Sequence, residues 1–145
     1  MSIRSRVQIN TARINQINQA VKTALEQTAE ALHTEVVQAQ VIPRMDGALQ
    51  GSKFYVDTRQ SSQGKIKLVF EGPYARRLYY HPEYNFHKAP WDEEIKHRDG
   101  RVSQLHHDGN PNAKGRWLED WLPGGRYQDF VRLTFEELLR RNGGI

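Results

Sequence analysis

The sequence contains no cysteine. Disulfide staples, thiolate metal sites and cysteine nucleophiles are therefore excluded, and the composition is typical of a protein assembled in a reducing cytoplasm. No stretch approaches the roughly 20 consecutive apolar residues that a membrane-spanning helix needs. The first ten residues also lack the apolar run of a signal peptide. We therefore expect a protein that is neither exported nor embedded in a membrane.

Motifs that carry catalysis or nucleotide binding are missing as well. The glycines form neither GxGxxG nor GxxxxGK[ST], and neither Ser52 nor Ser103 has a nucleophile elbow around it. Five of the six histidines fall between residues 81 and 112, but without the tight spacing of HxxxH or HExxH. A metal-dependent nuclease is thus the least favoured interpretation. We expect no catalytic, cofactor-binding or metal-ligating residue and no enzymatic activity.

The size and charge of the chain predict one basic domain, covering residues 1–145. Its 145 residues are enough for one hydrophobic core, and the sequence shows no internal repeat or domain boundary. The net charge is +4 at pH 7, on a background in which 26% of residues are charged. This excess is modest beside dedicated DNA-binding proteins, whose basic residues cluster on one stripe. A basic nucleic-acid-binding accessory protein remains the alternative to a protein that docks on other proteins.

The apolar pattern predicts an α+β fold. Residues 3–9 alternate with period two, as in a half-buried strand, and a helical period then continues from Asn10 or Thr11 until shortly before Pro43. Two further strands, at 53–57 and 65–70, predict a hairpin. We expect the N-terminal strand and this hairpin to form a small, mainly antiparallel sheet, covered by the long N-terminal helix. A final amphipathic helix is expected over residues 127–141.

The middle of the chain is irregular in sequence. Residues 74–80 predict a short helix or turn, and residues 81–112 have no apolar period while collecting Pro, Gly, Asn and Asp. Loops of this length are usually functional or mobile. We predict a long irregular loop over 81–112 that is mobile in the free subunit and becomes ordered on contact with a partner.

Aromatic side chains are concentrated around this region. Three interpretations stay open for them: they complete the core, they anchor a protein interface, or they stack on single-stranded nucleic acid. The residues concerned are Tyr74, Tyr79, Tyr80, Tyr84, Phe86, Trp91, Trp117 and Trp121.

Three short motifs follow one another along the chain. Pro43 precedes Gly47-Ala48-Leu49 and Ser52, then Gly72-Pro73-Tyr74-Ala75-Arg76 precedes Tyr79-Tyr80, and Gly115-Arg116-Trp117 precedes the last helix. In this order and spacing the chain resembles, from end to end, the minor capsid or tail-completion proteins that join head to tail in long-tailed bacteriophages.

The resemblance implies a structural subunit of the virion neck, assembled in the host cytoplasm. Its partners would be copies of itself in a homo-oligomeric ring and other neck and tail proteins; contact with DNA in the channel is left open, and no membrane partner is implied. Main-chain pairing through the N-terminal strand or a sheet edge is one expected mode of assembly. The residues expected at subunit interfaces are Ile3, Val7, Gly47, Leu49, Ser52, Tyr74, Arg76, Tyr79, Tyr80, Tyr84, Phe86, Trp91 and Trp117.

Overall fold

The computed structural model describes residues 4, 6–43, 53–72, 74–84, 86, 89–107 and 109–143. The helices in these residues are α1 (Thr11–Gln38), α2 (Ala75–Tyr79) and α3 (Phe130–Arg141). The strands are β1 (Phe54–Asp57), β2 (Lys67–Phe70), β3 (Trp91–Lys96) and β4 (Val102–His107). Strands β1 and β2 form one antiparallel hairpin and strands β3 and β4 form another, so the fold is α+β.

Helix α1 confirms the predicted long N-terminal helix. Its first turn is capped by Asn10, whose side-chain oxygen accepts a hydrogen bond from the Arg13 amide at 3.0 Å. The helix ends at Gln38, ahead of Pro43 as expected, and Gln40 turns the chain with a φ of 56°. One stripe of the helix is buried. It consists of Ala20, Ala24, Thr28, Ala29 and Val36.

Helix α3 packs against the first half of α1. Leu139 forms a small buried cluster with Ala20 and Ala24, whose short side chains let the two helices approach closely. The Asn142 amide then donates to the Gln27 side-chain oxygen at 2.9 Å. The predicted C-terminal helix is therefore present, but it begins at Phe130, because residues 127–129 form a turn instead of helix.

The main core lies at the other end of α1. Its buried residues are Val36, Val41, Ile42, Phe54, Trp117 and Trp121. Phe54 is stacked between His33 and Phe70, with ring centroids 4.1 Å and 4.0 Å away. The first hairpin therefore reaches α1 mainly through aromatic stacking.

The β1–β2 hairpin confirms the two strands predicted at 53–57 and 65–70, each slightly shorter than expected. A short 3₁₀ turn, Ser61–Gln63, connects them, and Gly64 follows it with a φ of 77°. Near the turn, the Arg59 guanidinium donates to the Asp57 carboxylate at 2.7 Å, and this hydrogen bonding lowers the pKa of Asp57 to about 2.

The predicted N-terminal strand is wrong for the residues that the structure describes. Residue 4 and residues 6–10 belong to no sheet, and Val7 and Ile9 are 85% and 68% exposed. An alternating pattern indicates two different faces, but a strand also needs a neighbouring edge. Strand β1 pairs only with β2 in the described part of the chain, so the predicted three-stranded sheet is a two-stranded hairpin there.

The predicted irregular loop over residues 81–112 is also corrected, because it contains the β3–β4 hairpin. Trp91 is opposite His107 and Lys96 is opposite Val102 in its register. A tight turn through Gly100, with a φ of 85°, closes it. The pattern missed these strands because their alternate residues are mostly polar, which leaves little apolar period to detect.

Leu139 offers a test of the packing between α1 and α3. Leu139→Ala should lower the free energy of unfolding by about 2–5 kcal/mol, because it leaves a cavity against two alanines that cannot fill it. The matched control is Leu133→Ala in the same helix, where the side chain is 54% exposed. Urea denaturation followed by circular dichroism measures both. Equal losses for the two variants would contradict this packing.

Candidate protein interaction surface

The β3–β4 hairpin, residues 91–107, forms an arm. Among the described helices and strands, β3 and β4 contact mainly each other, whereas β1 and β2 both contact α1. Most of its side chains are exposed, including Leu105 at 45% and Val102 at 55%. Apart from the half-buried Trp91 and Ile95, such an arm is stabilised mainly by its own cross-strand pairs.

The two faces of the arm differ in chemistry. On one face Trp91 and Ile95 are half-buried, while Glu93 between them and Leu105 opposite Glu93 are exposed. The opposite face carries carboxylates: the Asp92 oxygen is 2.7 Å from the His106 Nδ1 of the neighbouring strand, and Glu94 is exposed. Most of the apolar side chains of the arm therefore share one face, on which Glu93 also lies.

The base of the arm is fixed at the C-terminal end of α1. Asn110, 1% exposed, donates from its amide to the Ile42 carbonyl at 2.7 Å, and Asn112 donates to the Ala39 carbonyl at 2.9 Å. The Lys114 amide donates to the Val41 carbonyl at 3.0 Å. These bonds provide donors for the carbonyls of the residues that follow α1, which make no hydrogen bonds within the helix.

A second surface lies around α2, and we call it the arginine–tyrosine surface. The guanidinium carbons of Arg76 and Arg116 lie 6.0 Å and 5.7 Å from the Tyr80 ring centroid. Arg77 lies 5.9 Å from the Tyr84 ring and donates from Nε to the Tyr84 hydroxyl at 3.1 Å, which raises the pKa of Arg77. The surface consists of Tyr74, Arg76, Arg77, Tyr80, Tyr84 and Arg116.

Local geometry around Gly115 places Arg116 in this surface. A Cβ atom at Gly115 would lie 2.6 Å from the Pro82 Cα, so only glycine fits between the two segments. Arg116 then has a φ of 48°, rare for a residue with a side chain, while its amide donates to the Tyr79 carbonyl at 2.8 Å. Trp117 follows directly and enters the core at 1% exposure. This explains the Gly115-Arg116-Trp117 sequence physically.

The structure brings part of the expected interface together. Tyr74 and Tyr80 are 67% and 55% exposed, close to the exposed Arg76 and the half-buried Tyr84. Val7 is exposed at the far end of α1, and Trp91, on the arm, and Phe86 are half-buried. Ile3, Gly47, Leu49 and Ser52 lie outside the described residues.

Trp117 is a correction to the expected interface, and Tyr79 lies beside it. Trp117 is a core residue, because its ring packs against Phe70 and Tyr79 with centroids 5.4 Å and 4.8 Å away. Tyr79 is half-buried beside it, and burial raises the pKa of its hydroxyl. Both side chains support the arginine–tyrosine surface from beneath.

Sequence reasoning did not include Arg77, Arg116 or the carboxylates of the arm among the expected interface residues. The spacing of Arg76 and Tyr80 is a usable signal, since residues four apart lie on the same side of a helical turn. No comparable signal links Arg116 to Tyr80, because they are brought together only by the fold.

Histidines in the arm and around it pair with near neighbours. His81 is 2.7 Å from Glu83, and the His97 Nε2 is 2.7 Å from the Ser103 hydroxyl. Across the described residues, no three His, Asp or Glu side chains are grouped so as to hold a metal ion. The helices of the described residues are too short or too polar to span a bilayer.

Comparison of the chain with protein-family models, with curated proteins and with solved structures finds no match in any of the three.

Asn110 offers a test of how the arm is anchored. Asn110→Ala should lower the free energy of unfolding by about 1–3 kcal/mol, because it leaves the Ile42 carbonyl buried without this donor. Asn112→Ala is the matched control and should cost at most about 1 kcal/mol, since that bond is exposed to water. Chemical denaturation of the two variants measures the difference. Two equally small losses would show that the buried bond does not anchor the arm.

Proposed function

We propose that this chain is a structural subunit of the bacteriophage neck, acting as a tail-completion or head–tail joining protein in a ring between the head connector and the tail. The observation that carries the proposal is the exposed arm. An isolated two-stranded hairpin is at best marginally stable in water, whereas three strands or a covering helix give independent stability. A partner subunit that covers the arm would supply the missing packing.

The two surfaces also suit a ring. A subunit in a closed ring meets its two neighbours through two different patches, because the contact is head-to-tail. The arm and the arginine–tyrosine surface are two different patches, one carrying carboxylates and the other arginines. The sequence resemblance to tail-completion proteins supports the same role, which involves binding and no chemical reaction.

Removing the protein tests this role in a phage whose genome carries the gene. We expect DNA-filled heads and separate tails to accumulate, because the joint between them is missing, and electron microscopy of the lysate would show both. Supplying the intact chain in trans should restore complete virions, and so should the control variant Leu133→Ala. A chain in which a short glycine–serine turn replaces residues 92–106 should fail to do so. Complete virions in the absence of the protein would contradict the proposal.

The arginine–tyrosine surface favours one other function, a basic nucleic-acid-binding accessory protein. Three arginines lie beside two tyrosine rings there, and single-stranded nucleic acids are bound by just such cationic groups and aromatic stacking platforms. Phosphate contacts of this kind lose affinity steeply as salt rises.

Binding of a labelled single-stranded oligonucleotide separates the two functions. The neck proposal predicts only weak oligonucleotide binding, caused by the basic charge of the chain, and this binding falls steeply between about 50 mM and about 200 mM salt. Both functions therefore predict a salt-sensitive affinity, and the tyrosine substitution distinguishes them. Under the neck proposal, Tyr80→Ala should leave the affinity unchanged. A loss of about tenfold or more on Tyr80→Ala, measured by fluorescence anisotropy with Tyr127→Ala as the exposed-tyrosine control, would favour nucleic-acid binding instead.

A further inference from the structure

The residues ahead of α1 have the pattern of a strand but no strand beside them in the described part of the chain. We call residue 4 with residues 6–10 the N-terminal segment. Val7 and Ile9 lie on one side of its alternating pattern and are 85% and 68% exposed. Arg4 and Arg6 lie on the other side and are exposed. Exposed valine and isoleucine with this alternation are typical of a strand that is completed by pairing.

Strand β3 has the complementary pattern. Among the described strands it pairs only with β4, so one of its edges faces away from the hairpin. Asp92, Glu94 and Lys96 lie on one face, whereas Trp91, Glu93 and Ile95 lie on the other. Carboxylates distinguish this strand from the other described strands, because β3 has three, whereas β2 and β4 have none and β1 has only Asp57. Asp92 lies 2.7 Å from the His106 ring of the same arm, and Glu94 is exposed.

We propose that the N-terminal segment of one copy adds as a third strand to the β3 edge of a second copy. This pairing places Arg4 and Arg6 over the face of Asp92 and Glu94. It places Val7 on the face of Trp91 and Ile95. Opposite charges and apolar side chains on facing strands both stabilise a sheet. A slip of one residue would reverse every side chain, so the charges fix the register.

The dimensions of α1 indicate why the edge belongs to a second copy. The N-terminal segment leaves α1 at its first residue, whereas Asn110 and Asn112 hold the base of the arm at the last turn. A helix of 28 residues separates these points by about 42 Å. The chain from residue 4 to residue 10 reaches at most about 24 Å at full stretch. Pairing within one chain would require both the N-terminal segment and the arm to be fully extended toward each other along α1. The N-terminal segment of a neighbouring copy has no such limit on its reach.

This inference rests on the proposed ring and specifies how its subunits are linked. The added strand would turn the arm into a three-stranded sheet, which is the smallest sheet expected to be stable by itself. Each copy would give its N-terminal segment to one neighbour and receive a segment from the other, which is the head-to-tail contact of a ring.

Disulfide trapping tests the pairing directly, because the chain has no cysteine of its own. Full-length Val7→Cys is mixed with a differently tagged Trp91→Cys or Ile95→Cys chain under mild oxidation. We expect a cross-linked heterodimer in one of the two mixtures: Trp91 if the strands are antiparallel, Ile95 if they are parallel, since disulfides require Cα atoms within about 7 Å. Val7→Cys mixed with Ser62→Cys, on the exposed turn of the first hairpin, is the control. No heterodimer above this control in either mixture would overturn the proposal.

Charge reversal gives a second readout that does not disturb the apolar face. Arg4→Glu with Arg6→Glu should weaken self-association by about tenfold, because like charges then face each other across the strands. Asp92→Arg with Glu94→Arg should do the same, and mixing the two double variants should restore association. Lys65→Glu with Arg140→Glu controls for net charge. Sedimentation velocity measures all four, and failure of the mixture to recover would count against the pairing.

The two proposals fail differently. If rings form but neither the cross-link nor the charge rescue appears, the strand pairing is wrong and the neck role stands. If the charge rescue and cross-link appear while virions assemble normally without the protein, the pairing stands and the neck role is wrong.

Discussion

Burial of Trp117 is the interaction on which the rest of this structure depends. Its ring meets Phe70 of the first hairpin and Tyr79 of α2, within the same cluster as Val36 of α1. Three separate segments are thus joined at one side chain that is 1% exposed. Truncating such a tryptophan typically costs about 3–5 kcal/mol. The hydrogen bonds that hold the base of the arm, and the turn that exposes Arg116, both lie next to this junction.

What that core leaves uncovered explains the proposed role. The arm extends from the junction with most of its side chains exposed, and the N-terminal segment extends from the other end of α1 with no described strand beside it. The arm carries carboxylates and the N-terminal segment carries arginines, and both also have apolar side chains. In a ring of identical subunits, both requirements are satisfied by one contact repeated around the axis. Under this proposal, incomplete packing in the single chain would be the physical basis for docking.

The sequence predicted the parts of the fold in which apolar residues recur regularly. The period of α1 and the aromatic strands of the first hairpin were predicted correctly, because each buries an apolar side against the other. The arm was missed because Asp92, Glu94 and Gln104 occupy its alternate positions, and the N-terminal strand was wrong because alternation does not supply an edge. At the candidate surface, exposed tyrosines were foreseeable. The approach of Arg116 to Tyr80 was not, since the fold alone creates it.

Hydrogen exchange at the backbone amides of β3 and β4 tests the central claim most directly, which is that the arm depends on a neighbour for its stability. In the free chain these amides should exchange quickly, whereas those of α1 beside Val36 should be strongly protected. In the assembled ring the β3 and β4 amides should become protected by a large factor while the α1 amides change little. Strong and equal protection of the arm in the free and assembled states would contradict the account.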